Sequence, residues 1–233
     1  MADLVIGCPV SGRGWVIDRW YEHAVVAAEV AGLDVEFVLV GSPSTDSETF
    51  DTLFSVCKHP VDVVEVDEPT CSPAREWGPI RYGHMVGLRN QLLACVQEKA
   101  PPLFLSLDSD ILLHPKAISC LLDFPEWDAV GGKAYMVPPP NAICPSYAIL
   151  TPGGSLRRPD ATGAFLVDVI MAIKLMKPSA YAVTYKYDQQ GEDIGWSKAA
   201  RSRGCKLGWT GEITSKHVMT RDWLDQPDPR CGY

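Results

Sequence analysis

A chain of 233 residues, 46% hydrophobic and 21% charged, is long enough to bury one sizeable core and has the composition of an ordinary globular protein. Its net charge of -8 and pI of about 5.1 exclude a broad basic face for a polyanion, though not a local basic pocket. No apolar run reaches the roughly 18 residues of a membrane span, and the opening Met1–Gly7 lacks the basic and apolar stretches of an export signal.

Leu4 to Ile6 forms a first strand that ends at Gly7-Cys8-Pro9-Val10, and Ser11-Gly12-Arg13-Gly14 follows as a loop. Ile17, Trp20, Tyr21, Ala24, Val25 and Ala28 recur at helical spacing until Gly32 stops the helix. Val35–Val40 and Val61–Val66 are buried-type strands, a loop spans 68–83, and a helix runs from about His84 to Glu98. Pro101-Pro102 ends that helix, the strand Leu103–Leu107 comes next, and Pro115 starts another helix. The order strand, helix, strand, strand, helix, strand, helix predicts an α/β fold with a mostly parallel sheet and covering helices.

The second half is less regular. Prolines at 138, 139, 140, 145, 152 and 159 mark a long functional loop over 138–160. Ala164–Val167 reads as a strand, and Val169, Ile170, Ile173 and Leu175 as one side of a helix. A further helix opens at Gly191-Glu192-Asp193 and stops at Gly204, with short strands at Leu207–Trp209 and Ile213–Val218 and a loose strap from Asp222. Eight cysteines with wide, irregular spacing and no C-x-x-C pair are expected to be reduced thiols.

One stretch carries more chemistry than any other. The apolar run Leu103-Phe104-Leu105-Ser106-Leu107 ends in Asp108-Ser109-Asp110. Two carboxylates cannot stay in the core, so the chain leaves the sheet there. Residues i and i+2 of an extended segment point the same way, so Asp108 and Asp110 can converge on one divalent cation. From these residues alone a pair of turn aspartates after a strand is the commoner reading. Ligands of such sheets bind beyond the carboxyl ends of strands, where Pro9 and Asp110 both lie.

Taken in order, Pro9-Val10 with Arg13, Arg89-Asn90, Asp108-Ser109-Asp110, Gly191-Glu192-Asp193 and His217 resemble the GT-A type of nucleotide-sugar glycosyltransferase. The pattern is similar both to the large inverting sugar transferase family and to the fungal Golgi mannosyltransferase-like family, which leaves stereochemistry open. The resemblance implies one single-domain GT-A fold over residues 1–220 with a tail over 221–233. It implies metal-dependent transfer from a nucleotide diphosphate sugar, UDP- or GDP-linked, to an acceptor hydroxyl. Mn2+ or Mg2+ would be held by Asp110 and His217, with Asp108 touching the metal through water or holding the ribose. Pro9, Val10 and Arg13 would wall the nucleobase pocket, Arg89 would face diphosphate or ribose, and Ser109 and Gly163 would lie along the donor. Asp193 would be the general base of an inverting enzyme, with Glu192 beside it on sugar hydroxyls. Trp196 and Trp209 are candidates for stacking on a sugar or for core packing. Acidic residues in a first helical turn also stabilise the helix dipole without other function.

Without an export signal or membrane span, a cytoplasmic enzyme of bacterial or phage character is expected, its acceptor open among protein, glycan, lipid carrier and modified nucleic-acid base. Two alternatives are a nucleotidyltransferase that builds nucleotide sugars, faintly suggested by Ser11-Gly12-Arg13-Gly14, and a non-catalytic nucleotide- or sugar-binding module.

Overall fold

The computed structural model describes residues 2–66, 78–135 and 145–231. The elements run β1 (Leu4–Pro9), α1 (Ile17–Ala31), β2 (Val35–Gly41), α2 (Ser47–Val56), β3 (Val61–Glu65), α3 (Pro79–Lys99), β4 (Leu103–Leu107), β5 (Ile111–Leu112), α4 (Ala117–Leu122) and β6 (Ala129–Ala134). The second half adds β7 (Tyr147–Leu150), β8 (Leu156–Arg157), β9 (Ala164–Leu166), β10 (Val169–Ile170), β11 (Ile173–Met176), α5 (Pro178–Tyr181), α6 (Glu192–Ser202) and β12 (Leu207–His217). The large sheet is ordered β3-β2-β1-β4-β11-β6-β12-β5, with β9 paired to β12. Strands β3, β2, β1 and β4 are parallel, and β11 enters antiparallel between β4 and β6. This is the mostly parallel α/β sheet that the element order predicts.

Alternation along the strands divides the core in two. Leu105 and Leu107 of β4, with Ile173 and Leu175 of β11, join the core under α1, α2 and α4. Phe104 and Met176 point to the other face, where Leu92, Leu93 and Val96 of α3 and Trp196 of α6 complete a second core.

Several elements depart from expectation. Helix α2 was not expected; Phe50 and Leu53 are its buried stripe, too short a run to stand out by periodicity. Strand β6 was also missed, because Gly131 and Gly132 dilute its apolar signal. The helix expected over Val169–Leu175 is instead the two strands β10 and β11. Its Val and Ile residues are β-branched and favour strands. Between them Met171 O accepts from Ile173 N, a γ-turn in which Ala172 takes φ +60°. The two short strands expected near the C-terminus are one strand, β12, whose register against β6 shifts between Thr210 and Thr214.

The expected loose strap is tied down over its described residues. Lys216 Nζ donates to the carbonyls of Leu224 and Gln226 at 2.7 and 2.6 Å, and the Arg230 guanidinium lies over the Tyr135 ring. Of the expected 68–83 and 138–160 loops, 68–77 and 138–144 lie outside the described residues; α3 already begins at Pro79, and 145–160 carry the short strands β7 and β8. The six described cysteines are free thiols. No helix among the described residues is long and apolar enough to cross a membrane.

Helix α6 opens at Gly191, where φ +134° requires glycine, and packs tightly behind that opening. A Cβ at Gly195 would sit 1.9 Å from the Lys186 carbonyl oxygen. Gly195→Ala is therefore expected to push α6 off the preceding loop and to cost about 1–3 kcal/mol, read by urea denaturation. An unchanged midpoint would show that this approach is not fixed.

Candidate functional site

The turn Asp108–Asp110 leaves the carboxyl end of β4 and is held from three sides. Trp20 Nε1 of α1 donates to Asp108 O at 3.1 Å, and Asp108 N donates to Ala172 O at 2.9 Å. On the third side, β5 pairs with the end of β12 in a register that sets Ile111 opposite His217, and Val218 N donates to Asp110 O at 2.7 Å. Strand β12 thus delivers His217 to Asp110 from the far end of the sequence.

Asp110 is buried and meets a cation at each oxygen. Arg13 Nη2 lies 2.5 Å from Oδ2 and His217 Nε2 lies 3.4 Å from Oδ1. Arg13 Nε also donates to Ser109 Oγ at 3.2 Å, and its own backbone N donates to Thr49 Oγ1 at 2.8 Å. Arg13 is therefore built into the Asp110 turn, where the resemblance placed it in a nucleobase wall. Its Nη1 is buried with no hydrogen-bond partner among the described residues. A spare N–H beside a carboxylate turn suits an anionic ligand. Pro9 ends β1 and Val10 is buried.

His217 Nδ1 lies 3.0 Å from Tyr135 O. A carbonyl only accepts, so Nδ1 carries the proton and Nε2 faces Asp110. Burial favours neutral His217, but the Asp110 carboxylate outweighs it and holds the imidazole above its ordinary 6.5. Burial likewise favours neutral Asp110, and His217 with Arg13 outweighs that, lowering it below its ordinary 3.8.

The pair also fits a divalent cation. Two ligands at about 2.0–2.2 Å on one ion lie close to the 3.4 Å found between Oδ1 and Nε2. A ring whose other nitrogen donates to a carbonyl is the usual arrangement of a metal-binding histidine. Among the described residues there is no cluster of three or more His, Cys, Asp or Glu placed to hold a metal. Few protein ligands completed by phosphate oxygens and water are common for Mg2+, and the imidazole among these two suits Mn2+ better.

A second group of charges lies behind Asp108, on the α3 and α6 side of the sheet. Arg89 of α3 is 2% exposed. Its Nη1 donates to Ser106 Oγ at 3.1 Å, its Nη2 to Asp108 Oδ1 at 2.6 Å, and its Nε lies 3.5 Å from Glu192 Oε1. Arg89 thus anchors Asp108 from beneath. Asp193 pairs with Lys174 of β11, a residue that sequence reasoning missed because it read this stretch as a helix. Ser106 and Lys174 are cross-strand neighbours, so a polar seam crosses the sheet here.

The two adjacent carboxyls are driven apart. Burial, reinforced by the negative charge of Asp193, raises Glu192. Burial acts the same way on Asp193, but Lys174 and Arg89 overcome it and lower that group. Neighbouring carboxyls with opposite shifts are suited to different tasks. Of the other expected residues, Trp196 borders this cluster through its ring, 5.8 Å from Lys174 Nζ, whereas Trp209 and Gly163 take no part in it. Trp196 and Trp209 are wholly buried in the second core, and Gly163 lies at a turn with φ +80° whose carbonyl accepts from Gly211 N.

No family model matches the sequence, and no curated protein matches it. Among solved structures, S. aureus TarS 1-349 in complex with UDP-GlcNAc is similar in fold, with a TM-score of 0.58 at 12% identity. The match covers 94% of this chain and 59% of that one. The same protein in complex with UDP gives 0.60 at 13% identity, covering 94% of this chain and 61% of the other. The inositol-1-phosphate CTP transferase of T. maritima gives 0.55 at 15% identity, covering 96% of this chain and 92% of that one. The present chain thus spans about three fifths of the TarS chain. These likenesses show the fold: an α/β sheet flanked by helices, of the GT-A-like Rossmann type found in TarS.

The Asp110–His217 pair makes stability depend on pH in both directions. The Asp110 contribution is full above 3.8 and is lost as pH falls through its lowered value. The His217 contribution is full below 6.5 and is lost as pH rises through its raised value. The pair is strongest between those limits. Asp110→Asn is expected to lower the His217 titration, read by NMR, by about 1–3 units. An unshifted His217 would show that Asp110 does not set its charge.

Arg89→Met leaves Asp108 and Glu192 without their shared cation. It is expected to destabilise the fold by about 3–5 kcal/mol in urea denaturation, as breaking a buried pair does. A loss below 1 kcal/mol would show the network to be dispensable.

Proposed function

We propose that this protein transfers a sugar from a nucleoside diphosphate donor to an acceptor hydroxyl, assisted by a divalent cation. The observation that carries this reading is the meeting of Asp110 and His217. They come from distant parts of the chain, and their facing atoms suit one ion beyond the end of β4. Bound there, Mn2+ or Mg2+ supplies Lewis-acid neutralisation of the diphosphate leaving group. The fold likeness to a protein crystallised with UDP-GlcNAc and with UDP supports the donor class and makes UDP-sugars the first to try.

The chain's own residues divide the work. Asp110 and His217 would hold the cation, His217 through a neutral Nε2. Arg13 offers its unpartnered Nη1 N–H to a phosphate oxygen. Arg89 is too deeply buried to grip the donor and instead fixes Asp108, whose side chain remains 27% exposed and free to meet ribose or a metal-bound water. Asp193, kept ionised, accepts the proton of the attacking hydroxyl as general base, which suits an inverting course. Glu192, with its raised affinity for a proton, hydrogen-bonds a sugar hydroxyl.

A second reading, nucleotidyl transfer, is favoured by one observation. The T. maritima CTP transferase is matched over 92% of its length, whereas TarS is matched over 59%. The Arg13 loop would then face a triphosphate, and pyrophosphate would be the product.

The test is a donor screen. The purified protein is incubated with UDP-, GDP- and dTDP-sugars, with and without Mn2+, beside Asp110→Ala. Slow metal-dependent release of nucleoside diphosphate from one donor is expected, falling at least about a hundredfold in the variant. Pyrophosphate release from a nucleoside triphosphate with a sugar phosphate would establish the second reading instead. No release, together with no metal-dependent binding of nucleoside diphosphate by calorimetry, would overturn sugar transfer.

A further inference from the structure

We propose that Lys174 is a positioning residue for Asp193, whose ammonium fixes the orientation of that carboxylate at the mouth of α6. The inference rests on the reading of Asp193 as the general base. Lys174 is wholly buried, the least expected place for a lysine unless a specific partner holds it. Strand alternation accounts for its direction. Ile173 and Leu175 face one core, so Lys174 is turned to the other, among Trp196, Tyr185 and the α3 helix.

There its Nζ contacts Asp193 Oδ1 and lies 5.4 Å from the Tyr185 ring centre and 5.8 Å from that of Trp196. Two aromatic faces and one carboxylate compensate a cation that water does not reach. The Asp193 side chain keeps 13% exposure, so the pair is fully buried on the lysine side and only partly so on the aspartate side. A residue needed only for packing would be apolar in this position, which Met176, two places on and on the same face, illustrates.

Asp193 is faced from every neighbouring element. Lys174 approaches from β11, Arg89 from α3, the Ala172 N–H from the γ-turn and Glu192 from its own helix. Asp108 and Tyr185 lie close enough to act on Lys174. Of the two cations, only Lys174 contacts Asp193 directly, because Arg89 is engaged with Asp108, Ser106 and Glu192. Removing the lysine charge therefore leaves a buried carboxylate facing Glu192 with one more distant cation.

The experiment uses the full chain with Lys174→Gln, which keeps length and a donor N–H but not the charge, and Lys174→Arg, which keeps the charge. Two readouts are taken: the Asp193 carboxyl titration by 13C NMR, and the pH profile of kcat on the donor found in the screen. In Lys174→Gln the Asp193 titration and the acid limb of kcat are both expected to move up by about 1–3 units, and Lys174→Arg to return both towards wild type. A folded Lys174→Gln in which both stay where wild type has them overturns the proposal.

If Lys174→Gln does not fold, Lys174→Gln/Asp193→Asn is compared with it. Recovery of the fold identifies the unpaired carboxylate as the fault and supports the pairing, whereas equal loss overturns it. Should the wild-type protein transfer no sugar, the functional reading falls, and the carboxyl titration still decides whether Lys174 governs Asp193.

Discussion

The Arg89 guanidinium is the interaction on which the rest of the site depends. It joins three elements at once, the helix α3 that carries it, the β4 end through Ser106 and Asp108, and the start of α6 through Glu192. A lysine could not do this, because a point charge on a flexible stem lacks the fixed fork of donors that reaches three partners. Its charge is also too deeply buried to exist without those partners. The carboxylates that crowd the end of β4 would repel one another there. Interleaved with Arg13, Arg89, Lys174 and His217 they form instead a nearly balanced lattice of charge in a chain whose net charge is -8.

That lattice has two parts with different exposure. Asp110, Arg13 and His217 lie on the side built by β5 and the end of β12, and Asp193, Lys174 and Glu192 lie on the α3 and α6 side of the sheet. Asp108 and Arg89 stand between them. In the proposed reaction the first part neutralises the leaving group and the second handles the attacking hydroxyl. The sheet keeps the two tasks apart and gives each its own electrostatic surroundings.

Much of this was legible in the residues, and the limits have physical causes. An apolar run closed by two aspartates marks a strand end, whatever the remainder of the chain does, so Asp108 and Asp110 could be found from nine residues. His217 came only through resemblance, since nothing local distinguishes it from an exposed histidine beside a lysine. Lys174 was out of reach. Val169-Ile170 and Ile173-Leu175 have a spacing compatible with a helix, and the turn that makes them two strands depends on Ala172 adopting a backbone conformation that its sequence does not announce. The contacts of Arg13 and Arg89 could not be read from the residues, because a long side chain chooses its partner only after the tertiary fold has set the distances. The aromatic pair Trp196 and Trp209 shows the converse: large size in a mixed core outweighs any affinity for a sugar face.

The insertion of β11 between β4 and β6 bears on how the chain assembles. Strands β1 to β4 form a contiguous parallel half-sheet from the first half of the chain, and its inner border is β4 itself. Until β11 arrives, that border presents an unpaired row of backbone N–H and C=O groups on an apolar strand, the kind of edge to which a second chain can add. Closure needs a contact between segments far apart in sequence, which slows folding and prolongs the exposure. The pairing of β11 with β4 thus protects an edge as well as completing the sheet: the sooner it forms, the shorter the interval in which an incomplete molecule can pair with its neighbours.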